Sequence, residues 1–253
     1  VKDGYGPNTR ALLKLHEEGV AVVVTVDCGT TSFEPIDSAM NAGLDVIVVD
    51  HHVAEVSLPN AFSIINPNRL DDESPHGHLA AVGVTFLLIV AVNRALRLAR
   101  WYDVCEEPDL MQWLDLVALG TVCDVVPLIG VNRALVKQGL KVMAKRTNLG
   151  LVALADVAGI DEPPSAYHAG FILGPRINAG GRVGKSDLGA RLLSSNSKIE
   201  AAEIADLLDT YNKERQEIEA KVLEEAIRQI NNIELQSASI VMAVGEGWHP
   251  GVI

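Results

Sequence analysis

Asp27, Asp50, His51, His52 and Asp124 are the residues of this chain best suited to chemistry, because each sits where an apolar run stops. The run 21–26 ends in Asp27, the run 44–49 in Asp50-His51-His52, and the run 116–123 in Asp124. Carboxylate oxygens grouped with imidazole nitrogens suit Mn²⁺ or Mg²⁺. Two such ions activate water and offset charge on a phosphoryl group during in-line displacement. Taken singly, Asp27 serves equally well as a helix cap, and Asp124, followed by Val125-Val126-Pro127, as a turn. The 50–52 triplet is harder to explain as scaffolding, since burying a carboxylate and two imidazoles at a strand end requires partners for all three.

A second stretch, 174–185, reads Gly-Pro-Arg-Ile-Asn-Ala-Gly-Gly-Arg-Val-Gly-Lys. Its glycines would let a backbone approach a ligand closely. Arg176, Arg182 and Lys185, with Asn178 as a neutral donor, suit phosphate oxygens. The alternative is a glycine-rich turn with solvated bases. His76 and His78 lie in a Pro/Gly loop and are read as solvated, while His16 and His168 are read as helix-surface residues without companions. Cys28 and Cys123 adjoin proposed ligands but lack Cys-x-x-Cys spacing, so zinc is the minor option.

The elements that would position these groups follow from periodicity. β-branched runs bounded by turn signals read as strands buried on both faces, and their carboxyl ends border the ligand crevice of an open α/β sheet. Asn8 and Thr9 cap a first helix carrying Leu12, Leu13 and Leu15, which Gly19 stops. A strand to Asp27, a helix begun at Pro35 and a strand to Asp50 form a right-handed parallel unit. A shorter strand, 61–65, precedes Asn66-Pro67. Helices are expected over 79–99, 109–120, 131–144 and 149–158, and a long, charged, partly exposed one over 200–233 that bridges two lobes. A new strand is expected within 238–244.

At 253 residues, with 48% hydrophobic residues, the chain can bury a large core. No apolar stretch is read as long enough to cross a bilayer, and three scattered cysteines argue for reduced thiols, so a soluble cytoplasmic protein is expected. A net charge of −12 argues against a general nucleic-acid coat, but it permits a local basic cleft. The abrupt opening at Val1 and the ending just past Trp248-His249-Pro250-Gly251 suggest a piece of a longer protein.

The segments Thr25-Val26-Asp27-Cys28-Gly29, Asp50-His51-His52, Ile64-Ile65-Asn66-Pro67 and Leu79-Ala80-Ala81-Val82-Gly83-Val84 follow one another in order. Gly120-Thr121-Val122-Cys123-Asp124, Gly174-Pro175-Arg176-Ile177-Asn178-Ala179 and Gly247-Trp248-His249-Pro250-Gly251 continue the series, and Asp3-Gly4-Tyr5-Gly6 opens it. As a set they resemble the DHH phosphoesterase superfamily, and within it the RecJ-type exonucleases specific for single-stranded DNA. The resemblance implies an α/β fold: a parallel-sheet phosphoesterase domain over 1–128, a helical part over 129–198, a connector helix over 199–235, and the start of a second domain over 236–253.

By the same resemblance Asp27 bridges two ions, His51 and Asp124 bind one of them, and His52 stands near the scissile phosphate. Asp50 supports the histidines, and Arg182 binds phosphate. Arg176, Asn178, Lys185 and His249 complete the expected phosphate contacts. The implied activity is 5′-to-3′ hydrolysis of single-stranded DNA with Mn²⁺ or Mg²⁺, by a monomer that works with repair and recombination proteins and not at a membrane. A smaller-substrate DHH phosphodiesterase and a non-catalytic scaffold are the alternatives. The family's Asp-x-Asp pair is absent from the chain, so this piece alone is expected to be weak or inactive. Cys28, Cys123 and Gly180 depart from the usual Asn, Ala and Ala without altering charge.

Overall fold

The computed structural model describes residues 6–231 and 240–248. The chain divides into two compact units, 1–145 with 164–170 and 146–163 with 171–253.

The first unit is built on a parallel sheet of β1 (Val22–Val26), β2 (Asp45–Val49) and β3 (Ser63–Ile65), in that order. Two helices precede and join the first strands, α1 (Thr9–Glu17) and α2 (Phe33–Asn41). The Asn8 side chain accepts the Ala11 N–H at 2.8 Å, which caps α1 as its sequence position suggests. Val46, Val48 and Val49 of β2 are fully buried, and each contributes about 1.5–3 kcal/mol on leaving water. Leu12, Ile36 and Ala39 cover one face of β2. Leu79, just before α3 (Ala81–Leu98), and Val84, in its first turn, cover Val49 on the other. The register sets Val26 opposite Val49 and Val49 opposite Ile65. The residues just past the strands (Asp27, Asp50 and Asn66) therefore stand in one row at the carboxyl edge.

Several expectations are corrected here. β1 is not buried on both faces: Val22, Val24 and Val26 are about half exposed, because the α3 cluster takes in Ile47, Val49 and Ile65 instead. α3 is long and apolar enough, by length and composition, to cross a bilayer, contrary to the sequence reading. Its Ala81, Val84 and Phe86 are buried in the core of this unit. The third apolar run is α4 (Leu114–Cys123), within the helical span expected there but reaching three residues past Gly120. Its apolar residues lie all round the helix, as suits an element buried by its neighbours. α5 (Gly130–Met143) packs so closely on α4 that a Cβ at Gly139 would stand 2.0 Å from the Leu114 carbonyl oxygen.

The second unit holds α6 (Leu149–Val157), α7 (Gly174–Val183), α8 (Leu188–Ser194) and α9 (Lys198–Asn231). The glycine- and arginine-rich stretch is thus mostly a helix and not a turn, with Pro175 in its first turn, where the missing N–H costs nothing. α9 buries Ala201, Ile204, Ala205 and Leu208 in its first half and exposes Leu223 and Ile227 in its second. The strand expected within 238–244 is absent in its described part, 240–244, which has no partner strand among the described residues. Instead both backbone groups of Val244 bond the Gln229 side chain. His249 and Asp3-Gly4-Tyr5 lie outside the described residues.

Candidate metal centre

His51, two residues past β2, occupies the middle of the cluster. Its ring is largely buried, and Nδ1 stands 3.0 Å from the Leu79 carbonyl oxygen. A carbonyl only accepts, so a proton sits on Nδ1 and Nε2 is the ring nitrogen turned to the carboxylates. Nε2 is buried and makes no hydrogen bond, yet lies 3.3 Å from both Asp27 Oδ1 and Asp124 Oδ2. A carboxylate oxygen of Asp27 and one of Asp124 thus both face the same imidazole nitrogen. A divalent cation would satisfy such a set, and oxygen and imidazole donors fit Mn²⁺ or Mg²⁺.

The backbone works to create this arrangement. Asp27 holds a left-handed φ of 63°, a conformation that costs a non-glycine residue about 1–2 kcal/mol. Such outliers cluster at functional sites. Asp124 is the cap at the carboxyl end of α4, where the helix dipole disfavours a negative charge. Burial raises the Asp124 pKa; His51 opposes that, Asp27 adds to it, and His52 opposes it. A cleft of about 250 Å³ opens beside Asp27 and Asp124, lined also by Ala81, Val82 and Thr85.

Asp50 is not one of the converging donors. Its side chain is buried, and it accepts from the backbone of Thr30 at 3.0 Å and His51 at 2.8 Å, and from His52 Nδ1 at 2.7 Å. Burial opposes its ionisation, but the bonds from Thr30, His52 and His51 win and hold its pKa at about 2. The bond to Asp50 in turn raises the His52 pKa against the effect of burial. His52 meets the His51 ring edge-on at 4.7 Å and is 60% exposed. A donor atom of His52 lies within 4.8 Å of those of Asp27 and His51.

Burial raises the pKa of Cys28, and Asp50 and Asp27 add to it. Burial likewise pushes the Cys123 thiol up to about 11, with Asp124 adding to it, and its Sγ donates to the Ala169 carbonyl. Protonated thiols are poor ligands, which disfavours zinc. His168 is buried, not at the surface, with Nδ1 accepting the Ser165 N–H at 3.1 Å.

In the second unit, Arg176 is half-buried and committed: Nε meets Asp209 at 2.9 Å and Nη1 the Ile172 carbonyl at 2.8 Å. Asn178 and Arg182 are exposed and one helical turn apart on α7, with Lys185 exposed just beyond its end. Sequence reasoning missed the Thr30 N–H and the Leu79 carbonyl. Backbone groups carry no residue-type signal, although both residues lie in or beside recognised segments.

The profile of the DHH family, N-terminal domain, matches residues 2–121. The single-stranded-DNA-specific exonuclease RecJ of Dickeya dadantii is 39% identical over 100% of this chain and 45% of its own length. Residues 2–121 of this chain thus match a DHH-family domain. A crystal structure of exonuclease RecJ bound to manganese superposes with a TM-score of 0.81 at 32% identity, over 98% of this chain and 60% of that one. RecJ of Thermus thermophilus in complex with Mg²⁺ superposes with a TM-score of 0.68 at 30% identity, over 92% of this chain and 31% of that one. This chain thus spans less than half the length of the curated RecJ relative.

Proposed function

We propose that this chain carries much of the metal centre of a 5′-to-3′ exonuclease that hydrolyses phosphodiester bonds of single-stranded DNA. The observation that carries the reading is His51 Nε2, buried and without a hydrogen bond, 3.3 Å from a carboxylate oxygen of Asp27 and one of Asp124. Asp27, His51 and Asp124 would hold Mn²⁺ or Mg²⁺, consistent with the ions named for the two superposed RecJ structures. The bound ions would supply an activated water and a positive field over the phosphoryl oxygens. Asp50 holds the His52 ring by Nδ1, so that Nε2 is the ring atom left for a substrate phosphate. Because Asp50 keeps its charge at neutral pH and raises the His52 pKa, His52 offers that phosphate a donor.

Single-stranded DNA as substrate accords with the name of the RecJ relatives, and 5′-to-3′ polarity and work alongside repair and recombination proteins in the cytoplasm belong to the same reading. Asn178, Arg182 and Lys185 would contact backbone phosphates, as would His249; Arg176 would support α7 from beneath. The test is the full-length protein on 5′-labelled single- and double-stranded DNA, with and without Mn²⁺. Release of mononucleotides from single strands, lost with EDTA and lost in Asp124→Ala, is expected. Equal turnover in EDTA would overturn the reading.

A further inference from the structure

The two histidines after β2 are fixed by their rings and also through their backbone carbonyls. Asn66 is 3% exposed, one residue past β3. Its amide nitrogen spends both hydrogens, one on Thr30 Oγ1 at 2.9 Å and one on the His52 carbonyl at 2.9 Å. Its Oδ1 accepts the Asn68 N–H at 2.8 Å. The Asn68 side chain then donates to the His51 carbonyl and to the Gly77 carbonyl, the latter at 3.0 Å. Gly77 is two residues before Leu79, whose carbonyl takes the proton of His51 Nδ1.

We infer that Asn66 and Asn68 are positioning residues for the metal centre, with Asn68 the member that sets His51. It ties the His51 backbone to the 77–79 segment that also fixes the tautomer and tilt of the His51 ring. The task calls for a donor group, and the short amide supplies two N–H bonds, because both of its targets are carbonyl oxygens. A carboxylate of the same shape would turn two attractions into two repulsions. The approach is tight: a Cβ on Gly77 would stand 2.6 Å from Asn68 Oδ1, so the glycine leaves room for the side chain that bridges. Neither asparagine touches the reacting groups, and both act through the histidines. Groups of this kind commonly alter metal affinity or turnover by about 10- to 100-fold when removed.

The inference rests on the reading of Asp27, His51 and Asp124 as a metal centre, and the experiment separates the two. Mn²⁺ binding to the full-length protein is measured by calorimetry for the wild type, His51→Ala, Asn68→Ala, Asn68→Asp and Gly77→Ala, alongside thermal unfolding without metal. If the wild type binds Mn²⁺ no better than His51→Ala, the metal reading itself fails. If the wild type binds, Asn68→Ala is expected to bind about tenfold or more weakly. Its kcat should fall while KM for single-stranded DNA stays within twofold, and Gly77→Ala should follow it by crowding the same amide. Asn68→Asp, which inverts both bonds, should be no better than Asn68→Ala. Asn68→Ala or Gly77→Ala that folds and binds Mn²⁺ like the wild type would overturn the inference. Should Asn68→Ala not fold, Gly77→Ala, which keeps the asparagine, decides it.

Discussion

Asp50 and His52 are joined by a 2.7 Å bond between Oδ1 and Nδ1, and each holds the other in its charged form. The signs give a pH window. Asp50, lowered from 3.8 to about 2, contributes stability that is present above the ordinary value and lost as pH falls through the folded one. His52, raised from 6.5, contributes stability that is full below 6.5 and lost as pH climbs through its higher folded value. The metal-free protein should therefore draw most from this pair between about pH 4 and 6.5. In Asp50→Asn both flanks should flatten. Thermal unfolding across pH 2–9 checks this (about 2 is the folded pKa of Asp50), and an unchanged profile would count against the pairing.

Asp27 and Asp124 repel across His51 until a cation arrives, and Asp124 also suffers the carboxyl end of α4. Without metal, Asp124→Asn should therefore unfold at a higher temperature than the wild type, by about 0.3–1 kcal/mol of stability. With Mn²⁺ at 100 times its Kd the wild type should gain about 2.7 kcal/mol, and the variant far less. Calorimetric melting with and without Mn²⁺ reads both. An Asp124→Asn protein less stable than wild type in EDTA would show that the aspartate is structural.

The contact of α4 with α5 can be tested apart from the chemistry. Gly139→Ala places a methyl group against the Leu114 carbonyl and the Ala118 Cβ, which would be 2.5 Å away. Neither neighbour is the far end of a flexible side chain, so the helices must part. A loss of at least about 1–3 kcal/mol is expected in denaturant unfolding, the usual cost of overpacking. Because α4 ends at Asp124, Mn²⁺ affinity should fall as well.

Much of this fold was legible because β1 and β2 announce themselves as β-branched runs and Asn8 and Gly19 mark the ends of α1. The convergence on His51 was legible for the same reason, since Asp27 and the 50–52 triplet end neighbouring parallel strands. Asp124 was legible only as the acid after an apolar run: that run is the helix α4, so no strand register pairs Asp124 with Asp27. The helical state of residues 174–183 was hidden by its glycines, whose low propensity is overridden by the packing of Ala179 and Gly180 in the core of its unit. What stayed out of reach were the bonds through backbone atoms, from the Leu79 carbonyl and the Thr30 N–H, which any residue type could supply.

Arg176 and Arg182 looked alike in the sequence, and α7 separates them. Arg176 shares the buried carboxylate of Asp209 with Lys213, which lies 2.7 Å from the other oxygen. Arg176→Ala should destabilise the fold, at or below about 3 kcal/mol, the lower end for a broken buried pair, because Lys213 still compensates Asp209. Arg182 is exposed, one turn from Asn178. Arg182→Ala in the full-length protein should bind single-stranded DNA with a shallower salt dependence, by about 0.7 in the logarithmic slope for one lost phosphate contact. Its turnover should fall with it, as charge stabilisation of the transition state is lost. Binding titrations from 50 to 300 mM salt (a range of roughly this width resolves one contact) with parallel melting curves distinguish the two arginines. An Arg182→Ala protein with wild-type slope and turnover would remove α7 from the DNA interface.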